Sequence, residues 1–255
     1  MKVAIAQIEA IKGNIEKNIE NHLKWIKQAI QNNADMVVFP ELSITGYEPE
    51  LADRLATNQD DTRLDEIQSL SDINGITIGV GLPTKDGSDT FVSMIIFQPH
   101  KVRITYSKQY LYPPEEPIFK AGKNPLVLNF ETEVVSPAIC YEVSNKAHCE
   151  FAKRNNATIY IASVLSSING IDAELKKLSD IAKNNNLVTF MANYVGKSGG
   201  YECAGKSSVW DTTGKLIGQL DSVTEGILIY NTETKEIVKE SIMNCPNLDA
   251  PVFTL

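Results

Sequence analysis

Cys140 closes an apolar run, Pro137-Ala138-Ile139-Cys140-Tyr141-Glu142, in a chain that holds only three histidines, His22, His100 and His148. A free thiol has a pKa of about 8.5 and is mostly unionised at neutral pH, so cysteine nucleophiles usually borrow a histidine base. If Cys140 is a nucleophile here, its base must be another group. Two upstream segments supply candidates: Phe39-Pro40-Glu41-Leu42 offers a carboxylate, and Tyr106-Ser107-Lys108-Gln109-Tyr110-Leu111-Tyr112 offers a cation. Each residue alone has a plainer reading. A strand cysteine commonly behaves as a small hydrophobe, and a carboxylate after a proline or an isolated lysine is commonly solvated. The conjunction of the three carries the chemistry.

These residues need a scaffold that delivers loop residues from buried strands. Ten apolar runs of strand length recur: Val3–Ile8, Met36–Phe39, Ile76–Leu82, Val92–Phe97, Val102–Tyr106, Val134–Ile139, Thr158–Ser163, Leu187–Asn193, Ser207–Asp211 and Gly226–Tyr230. Most lack strict alternation, which fits strands covered on both faces. Helical periodicity falls between them. Ile15, Ile19, Leu23, Ile26 and Ile30 predict an amphipathic helix over Glu16–Asn33. Leu64, Ile67 and Leu70 mark a shorter helix. Ala147, Phe151 and Ala152 mark one after Cys140, and Leu175, Leu178, Ile181 and Ala182 mark a fourth. Asparagine runs at Asn32-Asn33, Asn155-Asn156 and Asn184-Asn185-Asn186 precede strands. Asparagine tolerates the left-handed geometry that ends helices, so each run predicts a helix-to-strand turn.

About ten strands against four long helices would make one doubly wound sheet wide for 255 residues. Two sheets packed face to face with helices outside fit better. The two halves resemble each other, each placing a candidate catalytic residue just after a buried strand: Glu41 in the first, Cys140 in the second.

Bulk properties narrow the function. The net charge of −8 comes without a basic run, which argues against a nucleic-acid surface. Four scattered cysteines with no CxxC pair argue against a disulfide scaffold or structural zinc, and the histidines lack ligand spacing. The first residues form too short an apolar stretch for a signal peptide, and no run reaches the ~18 residues of a membrane span. These features predict a soluble protein of a reducing compartment, taken as cytoplasmic. One domain over 1–255 is expected, with 231–255 as a tail. The apolar segment Pro251-Val252-Phe253-Thr254-Leu255 is expected to pack on a partner subunit or on its own domain.

The motifs carry a family resemblance over nearly the whole chain. Ala4-Ile5-Ala6-Gln7 resembles the opening strand of the nitrilase superfamily of carbon–nitrogen hydrolases, and Phe39-Pro40-Glu41-Leu42-Ser43-Ile44-Thr45-Gly46-Tyr47 its glutamate motif. The Lys108 segment with Pro113-Pro114-Glu115-Glu116, Ile139-Cys140-Tyr141-Glu142, and Gly205–Gly214 follow in the family's order. The resemblance implies a four-layer α-β-β-α sandwich and a Glu41–Lys108–Cys140 triad. Glu116 is implied as a second carboxylate near the lysine; its spacing from Lys108 favours it over the neighbouring Glu115. It implies an oxyanion hole shared by Lys108 and the Tyr141 backbone N–H, substrate contacts from Ser163 and Tyr47, and no metal or organic cofactor. The implied partners are a small amide and a second copy of the chain in a homodimer or larger assembly.

Departures from the family pattern bear on the substrate. Relatives that hold a substrate carboxylate often use arginines three or four residues after the cysteine, where this chain has Val143 and Ser144. The expected activity is therefore hydrolysis of a small linear amide, uncharged or cationic. A nitrilase or an N-acyltransferase would use the same triad. A catalytically silent binding protein is the alternative of another class, and retention of all three residues argues against it. A papain-like protease is rejected, because His148 lies only eight residues from Cys140.

Overall fold

The computed structural model describes residues 1–241. Along the chain the elements are β1 (Lys2–Gln7), α1 (Ile15–Gln31), β2 (Met36–Val38), α2 (Ala52–Leu55), α3 (Asp65–Asn74), β3 (Thr77–Asp86), β4 (Asp89–Phe97), β5 (Ile104–Ser107), β6 (Leu128–Asn129), β7 (Val134–Ile139), α4 (Lys146–Arg154), β8 (Ile159–Ser163), α5 (Ile171–Asn185), β9 (Val188–Ala192), β10 (Lys197–Ser198), β11 (Tyr201–Glu202), β12 (Ser208–Trp210), β13 (Leu216–Gln219), β14 (Gly226–Asn231) and β15 (Ile237–Ser241). One sheet runs β15-β14-β1-β2-β3-β4-β5 and the other β13-β12-β9-β8-β7-β6; β10 and β11 form a small hairpin. In each sheet three central strands are parallel, β1-β2-β3 and β7-β8-β9, and antiparallel strands extend the edges.

Three apolar layers hold the molecule together. Val3, Ile5, Val38, Met94 and Ile96 of the first sheet meet Val135, Ile139, Ile161, Phe190 and Val209 of the second, forming the inter-sheet core. The opposite face of the first sheet packs on α1 and α3 through Ala4, Ile78 and Ile95 against Ile19, Trp25, Ile26 and Ile67. The outer face of the second sheet packs on α4 and α5 through Tyr160, Ala162 and Met191 against Ala152, Leu178 and Ala182. The result is the expected four-layer α-β-β-α sandwich. Strands buried on both faces account for the apolar runs without alternation.

The asparagine turns follow the expected geometry. Asn33, Asn156 and Asn186 adopt φ of 55°, 57° and 55°, the left-handed region that ends α1, α4 and α5 before a strand. The long helices fall where the periodicity puts them. Five strands were not anticipated. The ladders of β6, β10 and β11 are two residues long, and β13 and β15 are edge strands of four and five residues, largely exposed or half-buried. Part of the segment read as a tail after Tyr230 therefore turns back and pairs with β14. The apolar end, Pro251–Leu255, lies outside the described residues.

Candidate active site

Both expected chemical groups stand at the same end of the sandwich, one on each sheet. β2 runs into the loop that presents Glu41, and β7 runs directly into a 3-10 turn that begins at Cys140. Cys140 has φ of 44°, a conformation that costs a non-glycine residue of order 1–3 kcal/mol and persists only where its surroundings enforce it. The enforcing group is Glu142. Its carboxylate accepts hydrogen bonds from the N–H of Ile139 (2.7 Å), the N–H of Gln109 (2.6 Å) and the hydroxyl of Tyr106 (2.8 Å). One side chain thus ties the residue before Cys140 to the residue after Lys108. Burial raises the Glu142 carboxyl to about 7, against the opposing pull of the Gln109 and Ile139 amides.

The Glu41 loop is fixed as closely. Its carbonyl accepts from the Tyr194 hydroxyl (2.6 Å). Ser43 accepts from the Gly81 N–H (3.1 Å) and bonds the His22 ring (2.9 Å), whose other nitrogen meets the Asn18 carbonyl (2.6 Å). Gly81 must lack a side chain, because a Cβ there would stand 2.3 Å from the Leu42 nitrogen. His22 and His148 are buried and pushed down to about 4 by desolvation, so each is a neutral structural group.

Lys108 is fully buried between two carboxylates. Its Nζ donates to Glu41 Oε1 at 2.7 Å and to Glu115 Oε1 at 2.8 Å. Burial alone would lower its pKa, but the charges of Glu41 and Glu115 outweigh that and lift it above the ordinary lysine range, so it is an ammonium. The second carboxylate is therefore Glu115; Glu116, favoured from spacing, is exposed. The 3-10 turn Pro113–Glu115 explains the shift: it points Glu115 inward, and the Tyr112 N–H donates to its second oxygen at 2.8 Å. Tyr47 donates to Glu115 Oε1 (2.8 Å), which places the tyrosine in the cluster.

Glu41 Oε1 is held by Lys108, whereas Oε2 is buried with no hydrogen-bond partner among the described residues. Burial raises the Glu41 carboxyl, Lys108 lowers it and Glu115 raises it; the net result is a pKa above the ordinary carboxylate range. Cys140 lies close to this carboxylate, and its thiol donates to the Leu165 carbonyl at 3.9 Å. Burial of the sulphur, and next the Glu41 charge, push the thiol well above its usual range against the pull of Lys108. The direction of that shift favours a thiol at rest over the more thiolate-like cysteine that a neighbouring ammonium would suggest.

A cavity of about 350 Å³ opens over this cluster, lined by Glu41, Tyr47, Tyr112, Glu115, Cys140 and Tyr141 at one end. Leu165, Ser166 and Ser167 form another wall, and α5 contributes Glu174 and Lys177. Asn193 fixes that wall by accepting from the Ser166 N–H (2.8 Å) and donating to the Ser166 carbonyl (3.1 Å). Ser163, expected to meet substrate, lies outside the cavity. It is buried at the end of β8 and donates to the Phe39 carbonyl at 2.7 Å, joining the second sheet to the first just ahead of Glu41. The sequence reading missed Tyr112, Glu174, Lys177 and Tyr201 of the cavity wall. The Glu174–Lys177 spacing of three on α5 was the available signal.

The chain belongs to the carbon–nitrogen hydrolase family, whose model matches residues 2–238. The fold is similar to that of the amidase from Nesterenkonia sp. AN1, with a TM-score of 0.83 at 22% identity, covering 91% of this chain and 92% of that one. Among curated proteins it is 24% identical to the "Hydrolase in agr operon" of Staphylococcus aureus, over 94% of each chain. It is also 24% identical to the glutamine-dependent NAD(+) synthetase of Aquifex aeolicus, over 96% of this chain and 44% of that protein. The chain thus spans less than half the length of that synthetase.

Proposed function

We propose that this carbon–nitrogen hydrolase cleaves a small linear amide through a thioester on Cys140, with Glu41 as general base and acid. The observation that carries this reading is the buried Oε2 of Glu41, without a hydrogen-bond partner among the described residues, at a cavity that Cys140 also lines. A carboxylate raised by burial can take a thiol proton and return it near neutral pH. Its first oxygen is occupied by Lys108, so the proton acceptor is the second.

In this mechanism Glu41 Oε2 takes the Cys140 proton as the sulphur attacks the amide carbon. The carbonyl oxygen becomes an oxyanion, held by the Lys108 ammonium and the backbone N–H of Tyr141. That N–H lies in the first turn of the 3-10 helix, where amides lack intrahelical acceptors. The carbon–nitrogen bond then breaks, and the leaving nitrogen carries away the proton from Glu41. Glu41 next takes a proton from water, whose oxygen attacks the thioester, and the sulphur departs and is reprotonated. Glu115 holds Lys108 in place and charged throughout, and Tyr47 orients Glu115.

The test is to trap the acyl group. Native protein mixed with butyramide, quenched in acid and digested should yield an acylated Cys140 peptide by mass spectrometry, with ammonia released. Ammonia release without any acyl adduct, together with full activity in Cys140→Ala, would reject the mechanism.

A further inference from the structure

One buried side chain beside the Cys140 turn has no part in the chemistry above. His148, on α4, is 3% exposed and stands between Tyr106 of β5 and Tyr160 of β8. Its Nε2 lies 2.9 Å from the Tyr106 hydroxyl and 3.5 Å from Glu142 Oε2. Its Nδ1 lies 2.8 Å from the Tyr160 hydroxyl. Glu142, Tyr106, His148 and Tyr160 thus form one row, and all four are buried.

The row has one consistent arrangement of protons while Glu142 is a carboxylate. A carboxylate only accepts, so the single Tyr106 proton goes to Oε2. Tyr106 then offers His148 nothing but lone pairs, which makes Nε2 the protonated nitrogen. Desolvation holds the ring neutral, so Nδ1 keeps a lone pair and accepts from the Tyr160 hydroxyl. Every donor finds an acceptor. The other neutral tautomer would draw the Tyr106 proton to Nε2 and leave two oxygens facing each other at 2.8 Å without a proton between them. Among the described residues, His148 is the one donor to the Tyr106 oxygen.

The direction of that hydroxyl matters to the site. Glu142 ties Ile139, the residue before Cys140, to Gln109, the residue after Lys108. Tyr106 is its third donor and limits how far the carboxylate can rotate away from the two amides. From this row we infer that His148 is a positioning residue for Cys140 and Lys108: its Nε2–H commits the Tyr106 hydroxyl to Glu142, and Glu142 holds the nucleophile turn against the lysine segment. His148 touches neither substrate nor the reacting atoms. This inference rests on the amide-hydrolase reading above and adds a support to that site.

Two substitutions separate positioning from mere filling. In His148→Gln the side-chain amide nitrogen reaches the place of Nε2 and keeps a donor for Tyr106. In His148→Asn the shorter amide reaches only the place of Nδ1, and the Tyr106 oxygen loses its donor. The readouts are kcat and KM for ammonia release from butyramide, and hydrogen exchange of the Ile139–Tyr141 amides by mass spectrometry. Exchange in the rest of the chain reports the folded fraction. His148→Gln should keep kcat within about threefold of native and His148→Asn should lose about 10- to 100-fold, both with KM little changed, because small misplacement of reacting groups is costly. Exchange at Ile139–Tyr141 should quicken in the asparagine variant and not in the glutamine variant. Once Tyr106→Phe has removed the hydroxyl, adding His148→Asn should cost at most about a further twofold. Equal losses in the two His148 variants, or native kcat and exchange in His148→Asn, would overturn the inference. Nitrogen-15 NMR of the native protein checks it without any variant. The two buried rings should show opposite tautomers: Nδ1–H for His22, whose Nδ1 faces the Asn18 carbonyl, and Nε2–H for His148. Two Nδ1–H rings would overturn the inference. If the native protein releases no ammonia from any amide, the hydrolase reading fails, and exchange and tautomer decide the role of His148 by themselves.

Discussion

Neutralising Glu115 separates the roles within the buried cluster. Glu41 Oε1 and Glu115 Oε1 both lie within hydrogen-bond reach of one Lys108 nitrogen, which limits their separation to about 5.5 Å. At an effective dielectric near 20, two like charges at that distance repel by about 3 kcal/mol. This corresponds to roughly two pKa units on Glu41. In Glu115→Gln that repulsion disappears, and the Glu41 carboxyl should fall toward its ordinary range. The sign follows: catalysis needs Glu41 ionised, so the acid limb of the rate profile should move to lower pH, by about one to two units. Glu41 becomes a weaker base, and Lys108 loses the second anion that aims it, so kcat on the plateau should drop about 100-fold, comparable to loss of one oxyanion donor. The assay is ammonia release against pH, with Glu116→Gln as the control on an exposed neighbour, expected within about twofold of native. A Glu115→Gln enzyme with native kcat and an unmoved acid limb would refute the electrostatic argument. A large loss in Glu116→Gln would refute the assignment of the second carboxylate.

Cys140→Ser should lose more than ~1000-fold in rate while melting within a few degrees of native, because a hydroxyl is a poor nucleophile and the volume change is small; full activity would end the nucleophile assignment. Iodoacetamide should label Cys140 well before Cys149 and Cys203, which are buried in the helix-facing cores; equal labelling in a peptide map would contradict the site. Its labelling rate should keep rising with pH above neutrality, because the thiol is pushed up; a rate already flat at pH ~7 would show a thiolate at rest. Glu142→Gln replaces an acceptor oxygen with a donor opposite two N–H groups and a hydroxyl, and unpaired buried groups cost about 1–3 kcal/mol each. Its Tm should fall by about 5 °C and kcat by more than ~10-fold, and an unchanged Tm would show that the carboxylate does not hold the turn.

How far the sequence shows the site depends on how each residue is positioned. Glu41 and Cys140 stand out because each follows a buried strand, and apolar runs mark such strands; Lys108 follows β5, an edge strand in which only Tyr106 is buried, and stands out by its motif alone. The asparagine turns were readable because a left-handed residue is a local requirement. Glu115 was misread in favour of Glu116, since a 3-10 turn at Pro113-Pro114 decides which of two adjacent carboxylates points inward, and residue spacing does not resolve that choice. Ser163 was misplaced for a related reason. A serine at a strand end can face a cavity or a neighbouring backbone, and here the neighbour is the other sheet. Lys177 escaped notice because its hydrogen bond to the Ser144 hydroxyl joins positions far apart in sequence. The short edge strands were unreadable because they bury too little to leave a pattern.

The proposed base and the proposed nucleophile belong to different sheets, and what lies between the sheets is mostly aliphatic packing. The spacing between Glu41 and Cys140 is thus a gap across an alignment joint, like that between two jaws on a common hinge pin. A methylene lost or gained at Val38, Met94, Ile139 or Ile161 would slide one jaw past the other without touching the cavity. Pins at the joint resist such slippage: the Ser163 hydroxyl on the Phe39 carbonyl, and the Glu142 carboxylate reaching from the second sheet's turn to Gln109, just past the first sheet's edge. Turnover should consequently be a more sensitive gauge of the hidden interior than melting temperature, and substitutions there should be tolerated in compensating pairs, one from each half of the chain.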